Sequence, residues 1–385
     1  MKPAVILKRR VHYLPGFDPR GARFYHQLYS REASRQSALN QLNPKVGPRV
    51  KLTPHFSSWS VQGTSPLGEV STDYQFMGWD DLVRRHWPAH TAPLLAQCLP
   101  MYSDYLRSGS FFKVRQLSHN ALLTGLFPAG YLTLLALGSS ALFFSAQHCV
   151  GSLTDSPLAG SAAAVALCAS LGPPALKHAN RIGILWLLRT FGFIHRWGSG
   201  HIPELEHRAH AMAEHILRCH RQDPAHETLL IGHSVGCLLA VCVAARLLEL
   251  SAPPHSAHSL ANVHLLTLGQ CIPLISLLPQ AESFRAQLRS VGNQNRLSWT
   301  DVSAKADPLC FFRSSPLQPS DSLQPSLKTA RFFRMFPPRT YQKMRWDKIR
   351  LHFQYLMAGE LPAAYDFFAI TAGPDPLEAH LREEE

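Results

Sequence analysis

Apolar positions in this chain change their spacing several times, and each change predicts an element. Short apolar or alternating runs at 11–14, 50–61, 70–77, 228–231, 263–268 and 297–303 read as strands, with a further one near Ile349. Helical spacing separates most of the later runs. Between 202 and 221, Leu205, Ala209, Met212, Ala213, Ile216 and Leu217 fall on one side of a helix. A second apolar helical pattern starts directly after Gly236. Strands alternating with helices predict an α/β fold, a mostly parallel sheet with helices on both faces. Residues 251–260 and the Ser/Pro/Gln-rich stretch 314–326 read as loops, and 375–385 as an acidic tail.

Two longer runs break this alternation. Residues 121–146 carry no charge over 26 positions, enough to cross a bilayer core of about 30 Å. After a connector at 147–156, a second uncharged run covers 157–176, richer in Ala, Gly and Ser and ending near Pro173-Pro174. Arg107, Lys113 and Arg115 precede the first run, Lys177, Arg181 and Arg189 follow the second, and the connector holds Asp155 without Lys or Arg. Positive charge gathers on the cytoplasmic side. Two spans are therefore expected, with both flanks cytoplasmic and the connector outside. The stretch 181–197 is apolar but interrupted by Arg189, and reads as an interfacial helix, a lid or a core helix.

The passage with the most chemistry is Thr228-Leu-Leu-Ile-Gly-His-Ser-Val-Gly-Cys-Leu-Leu-Ala240. A strand ends in Gly232-x-Ser234-x-Gly236 and a helix follows, so Ser234 is expected on a tight turn that exposes its hydroxyl. A nucleophilic serine needs a histidine base, a carboxylate to orient it and two N–H donors for the oxyanion. Asp307, in the loop after the 297–303 strand and before Pro308, is the expected acid, with Asp301 inside that strand as the alternative. His352 alone among 21 histidines lies between Asp307 and the tail, and is the expected base. Pro15-Gly16-Phe17-Asp18 ends the first strand. The backbone N–H groups of Phe17 and Val235 are the expected oxyanion donors, with Asp18 in place of Phe17 as the alternative. Asp80 and Asp81 are expected to pair with Arg84 and Arg85 on a following helix, with a place in the pocket wall as the alternative. His207, His210 and His215 do not form H-E-x-x-H and read as a solvated face; no metal or organic cofactor is expected.

Composition narrows the setting. The chain has 385 residues, is 46% hydrophobic and only 17% charged, and carries a formal net charge of +12. Such a balance favours an anionic partner, either nucleic acid or an anionic membrane face. No helix-turn-helix, zinc-finger or RNP-like pattern occurs, which leaves the membrane. The basic aromatic stretch 328–350 could rest on an anionic leaflet. Eight cysteines without a C-x-x-C suit a reducing compartment. The N-terminus turns basic after a brief apolar run and reads as a first strand and not as a signal peptide.

With Gly232-His-Ser-Val-Gly236, Asp307-Pro308 and His352-x-x-Tyr355 in order, the chain resembles the α/β-hydrolase superfamily, and within it is similar to class 3 (fungal-type) lipases. Cys237, where those lipases usually continue with glycine, and the membrane insertion depart from that pattern. The resemblance implies a hydrolase domain in two parts, 1–116 and 179–374, around an insertion at 117–178. Together with the two expected spans, it implies a membrane-anchored esterase or lipase working through Ser234, His352 and Asp307 by an acyl-enzyme, with a lipid or other ester as substrate. The alternative is a non-catalytic membrane scaffold or lipid-binding protein of the same shape.

Overall fold

The computed structural model describes residues 6–65, 68–251 and 260–380. Strand β1 (Lys8–Leu14) and helix α1 (Ala22–Asn40) precede two short strands, β2 (Lys45–Val46) and β3 (Val50–Lys51), and the antiparallel pair β4 (Phe56–Ser65) and β5 (Gly68–Met77). Helices α2 (Asp80–Arg85), α3 (Thr91–Arg107) and α4 (Ser110–Leu117) lead into two long apolar helices, α5 (His119–Thr154) and α6 (Pro157–Arg181). Then α7 (Ile184–Gly198) and α8 (Glu204–Gln222) return the chain to β6 (Glu227–His233) and α9 (Gly236–Leu250). Next come β7 (Val263–Leu268), α10 (Pro273–Ser276), α11 (Glu282–Gly292), β8 (Ser298–Ser303) and β9 (Ser326–Thr329). Helices α12 (Pro338–Met344), α13 (Lys348–Phe353), α14 (Phe367–Ala372) and α15 (Leu377–His380) end the described chain.

The strands form one mixed sheet in the order β2-β4-β5-β1-β6-β7-β8-β9, with β3 also on β4. From β5 to β9 every neighbouring pair is parallel; only the pairings of β4, with β2, β3 and β5, are antiparallel. The expected α/β architecture with a mostly parallel sheet is therefore present. Strand β1 pairs with β5 on one side and β6 on the other, so segments before and after α5–α6 build one sheet. Alternate residues separate the two cores. On β6, Leu230 joins the core under α3 and α7–α11, while Leu229 and Ile231 join the core under α1 and α12–α14.

Helices α5 and α6 are long and apolar enough to cross a membrane, with mean hydropathies of 1.6 and 1.4 in their most apolar stretches. Only 11% of each stretch is buried, which is not how a soluble core helix sits. At 36 residues, α5 would reach about 54 Å. The connector is shorter than 147–156: residues up to Thr154 continue α5, Asp155 turns with φ 48°, and Ser156 caps α6 ahead of Pro157. The helices meet closely at that end. A Cβ on Gly160 would lie 2.3 Å from the Gln147 carbonyl oxygen and 3.0 Å from the Gly151 nitrogen.

Several other expectations are corrected. The single strand at 50–61 is two, because Pro54 interrupts the ladder and the Leu52 and Thr53 N–H groups turn back to the Phe56 carbonyl. No strand forms at Ile349; Asp347 caps a helix there, its carboxylate accepting the Arg350 N–H at 2.9 Å. The sheet edge is instead β9, which starts at the end of the expected loop 314–326. The segment 181–197 resolves into a packed helix, α7, with Ile184 and Leu188 fully buried. The C-terminal segment is tied down as far as α15. Glu227 accepts the Leu377 N–H and pairs with Arg9, whose guanidinium also donates to the carbonyls of Gly373 and Asp375. Residues 252–259 of the expected loop and 381–385 of the tail lie outside the described residues.

Candidate active site

Ser234 sits where β6 passes into α9, with φ 56°. A non-glycine residue adopts this left-handed conformation at a cost of about 1–2 kcal/mol, so the surroundings must impose it. They do so through close backbone packing. The Ser234 N–H donates to the Leu268 carbonyl at the end of β7 (2.9 Å). A Cβ on Gly232 would lie 2.7 Å from the Cys237 Cα, and one on Gly236 would lie 2.4 Å from the Leu14 carbonyl oxygen. The two glycines let the turn close, and Gly236 lets α9 start against the end of β1.

Asp307 and His352, 45 positions apart, are joined directly. His352 Nδ1 lies 2.9 Å from Asp307 Oδ2, and both side chains are almost completely buried. Asp307 Oδ1 accepts the Leu309 N–H at 3.0 Å, so both carboxylate oxygens are engaged. The loop carrying Asp307 is pinned by Tyr355, whose hydroxyl oxygen accepts the Ala304 N–H at 2.9 Å. Gly269, at φ 59°, leaves the room this needs: a Cβ there would lie 2.7 Å from the Tyr355 ring and 3.1 Å from Asp307 Oδ2. His352 lies on α13, beyond the last strand, β9.

His233 connects this pair to the turn. Its ring lies 5.0 Å from that of His352, and its Nε2 lies 2.9 Å from the His352 carbonyl oxygen. Burial pushes the His233 pKa down to about 3, so the ring is neutral at ordinary pH and must carry its proton on Nε2 to donate to that carbonyl. Among the described residues, the buried His352 Nε2 has no hydrogen-bond partner, and none joins it to the Ser234 hydroxyl.

Asp301, the alternative acid, is elsewhere. It is fully buried on β8, accepts the Thr267 hydroxyl at 2.6 Å and, among the described residues, is not hydrogen-bonded to His352. Burial pushes its carboxyl up to about 7. Asp18 is also occupied. Its carboxylate holds Arg20 and the Tyr25 hydroxyl, and its N–H turns back to the Gly16 carbonyl at 2.8 Å. The N–H groups of Phe17 and Val235 have no backbone acceptor among the described residues. The loop after β1 lies against the turn: a Cβ on Gly16 would be 3.1 Å from the Ser234 Cβ.

Trp186 of α7 roofs the site. Its indole Nε1 donates to the Phe17 carbonyl at 3.4 Å, and its ring lies 6.3 Å from that of His352. The same side chain lines an apolar groove of about 310 Å³ between Leu123 and Phe127 of α5, Pro308 and Leu309 beside Asp307, and Ile349 of α13. Position in the sequence carried no signal for Trp186 or for His233 as a connector. Gly269, directly after β7, is the one sequence hint of crowding near Asp307.

The remaining expected residues belong to the scaffold. Asp80 pairs with Arg84 at 2.5 Å as expected for positions four apart. Asp81 does not pair with Arg85. It binds Arg208 of α8 with both oxygens at 2.8 Å, while Arg85 reaches Glu204. The Arg208 guanidinium also donates to the Gly78 carbonyl at 2.7 Å, which fixes it beside Asp81. His215 bonds Gln75 and His210 pairs with Glu214.

Comparison with known proteins found no matching family model, no matching curated protein and no matching solved structure.

Proposed function

We propose that this chain is a membrane-anchored serine hydrolase of α/β-hydrolase type that cleaves an ester of a lipid. The observation that carries the reading is the conjunction of Ser234 at φ 56° on a strand-to-helix turn with the buried Asp307–His352 pair beside it. In this reading Asp307 keeps the proton of His352 on Nδ1, leaving Nε2 as the base. His352 takes the Ser234 proton as the hydroxyl oxygen attacks the ester carbonyl, and the N–H groups of Phe17 and Val235 receive the oxyanion. The imidazolium then protonates the departing alcohol, and water releases the acid from the acyl-enzyme by the same steps in reverse roles. In this reading Trp186, which lines the groove beside α5 and lies 6.3 Å from the His352 ring, shifts for substrate to arrive. That route suits an acyl chain drawn sideways from a bilayer around α5 and α6, with both chain flanks cytoplasmic by their charge.

The test is covalent. A fluorophosphonate probe should label the full-length protein in membranes, and Ser234→Ala should abolish labelling. His352→Ala should slow it by at least a hundredfold. Labelling that persists in Ser234→Ala refutes the nucleophile; a folded wild type that never labels favours the non-catalytic scaffold.

A further inference from the structure

Beside the apolar groove lies a second cavity of different character. It has a volume of about 500 Å³ and lies where Asn120, Leu123 and Thr124 of α5 meet the loop of Asp307, β9 and α12–α13. Four cationic side chains line it, Lys305, Arg331, Arg345 and Lys348, and no carboxylate does. Among the described residues none of the four has an ion-pair partner; the nearby Asp347 carboxylate is taken up capping α13. Thr329, also in the wall, has a hydroxyl without a partner. Gathering four unneutralised cations around one cavity raises their mutual repulsion, which an anion would relieve.

The residues around the cavity say what the anion is attached to: Phe333 lines it, and Trp346 stands beside the lining Arg345 and Lys348. Trp346 is 73% exposed and Phe333 55% exposed. Arg345 lies over the Trp346 ring at 5.2 Å. Exposed Trp flanked by Arg and Lys is the composition of a bilayer interface, where the ring sits among headgroups and the cations meet phosphates. From Lys328 to Arg350 the chain holds eight Lys or Arg and one acid. The cavity also shares Leu123, Thr124, Pro308 and Lys348 with the groove that reaches Trp186. A lipid whose headgroup filled the one would have its chains at the mouth of the other.

We propose that this cavity is a binding site for the phosphate headgroup of an anionic membrane lipid, held by Lys305, Arg331, Arg345 and Lys348 at the foot of α5. The site depends on the membrane position of α5–α6 and not on chemistry at Ser234.

The test uses the full-length chain in mixed micelles of phosphatidylcholine and phosphatidic acid, with retained lipid counted by native mass spectrometry. Wild type should retain phosphatidic acid at least tenfold over phosphatidylcholine, and so should Ser234→Ala, which separates this site from the hydrolase reading. The triple variant Lys305→Ala/Arg331→Ala/Arg345→Ala should lose that preference. Arg334→Ala/Arg339→Ala/Lys343→Ala, which removes equal charge from exposed positions outside the cavity, should keep it. Because Arg331 is partly buried, Lys305→Glu at an exposed position serves as a second variant and should lower retention at least threefold with an unchanged melting temperature. Equal losses in the two triple variants would reduce the site to diffuse surface charge and overturn the proposal. So would full displacement of the lipid by millimolar inorganic phosphate, which would make free phosphate the ligand.

Discussion

Replacing Asp307 with asparagine removes the charge that holds His352 while keeping the shape of the side chain. In the folded protein both carboxylate oxygens face donors, Oδ2 the His352 Nδ1 at 2.9 Å and Oδ1 the Leu309 N–H at 3.0 Å. An amide has one acceptor oxygen, so its NH2 must oppose one of them. If the oxygen stays with Leu309, the NH2 faces Nδ1 and the imidazole keeps its proton on Nε2, where it cannot accept one from a serine. If the amide turns over, the Leu309 N–H loses its acceptor, at about 1–3 kcal/mol for a buried donor. The first arrangement costs less locally and is fatal to the base. In the best-characterised serine triad the same change lowers kcat by about 10⁴, or about 5.5 kcal/mol of barrier. Asp307→Asn should therefore lower kcat/KM on a p-nitrophenyl ester by about 10³–10⁴, with the melting temperature little changed. Asp301→Asn should stay within about threefold, since Asp301 bonds Thr267 and not His352. The reasoning is refuted if the two variants rank the other way, or if Asp307→Asn keeps more than a tenth of the wild-type rate.

Three further outcomes follow from the same geometry. Asp301 has a folded pKa of about 7, above the usual value near 4, so the folded chain keeps a proton the unfolded chain releases. The stability it contributes is complete below about pH 4 and is lost as pH rises through about 7; Asp301→Asn should flatten the fall in melting temperature between about pH 4 and 7, and an unaltered slope there would contradict the assignment. Gly236→Ala forces a Cβ to 2.4 Å from the Leu14 carbonyl and should cost about 2–4 kcal/mol of stability, whereas Gly16→Ala, with its nearest contact at 3.1 Å on Ser234, should fold and lose turnover. Denaturation midpoints and turnover measured on both separate the effects, and equal midpoints would undo the packing argument. A cysteine at Asp155, in a background without the exposed Cys149, should react with an impermeant maleimide on intact cells while one at Lys113 should not; the opposite pattern would invert or abolish the two-span arrangement.

What local sequence determines is visible in the parts that depend on neighbours in the chain. The turn at Ser234 was legible because apolar strand, paired glycines and apolar helix are adjacent, and α5 and α6 because uncharged runs of that length have few other fates. The contact between Asp307 and His352 was legible because only one histidine stood in the right interval. Tertiary structure decided what distance along the chain conceals. His233 bonds the carbonyl of His352, 119 positions away, and Trp186 bonds the carbonyl of Phe17, 169 positions away. Asp301 and Asp307 carry the same side chain six positions apart. Only the placement of α13 over the loop beyond β8 gives the histidine to one and leaves the other sealed against Thr267. Nor could spacing reveal that Lys305, Arg331, Arg345 and Lys348 ring one cavity, since three elements and a loop must fold before they meet. Short-range pattern fixes which backbone each segment prefers; which charges are neutralised, buried or left facing one another depends on which segments the sheet order makes neighbours.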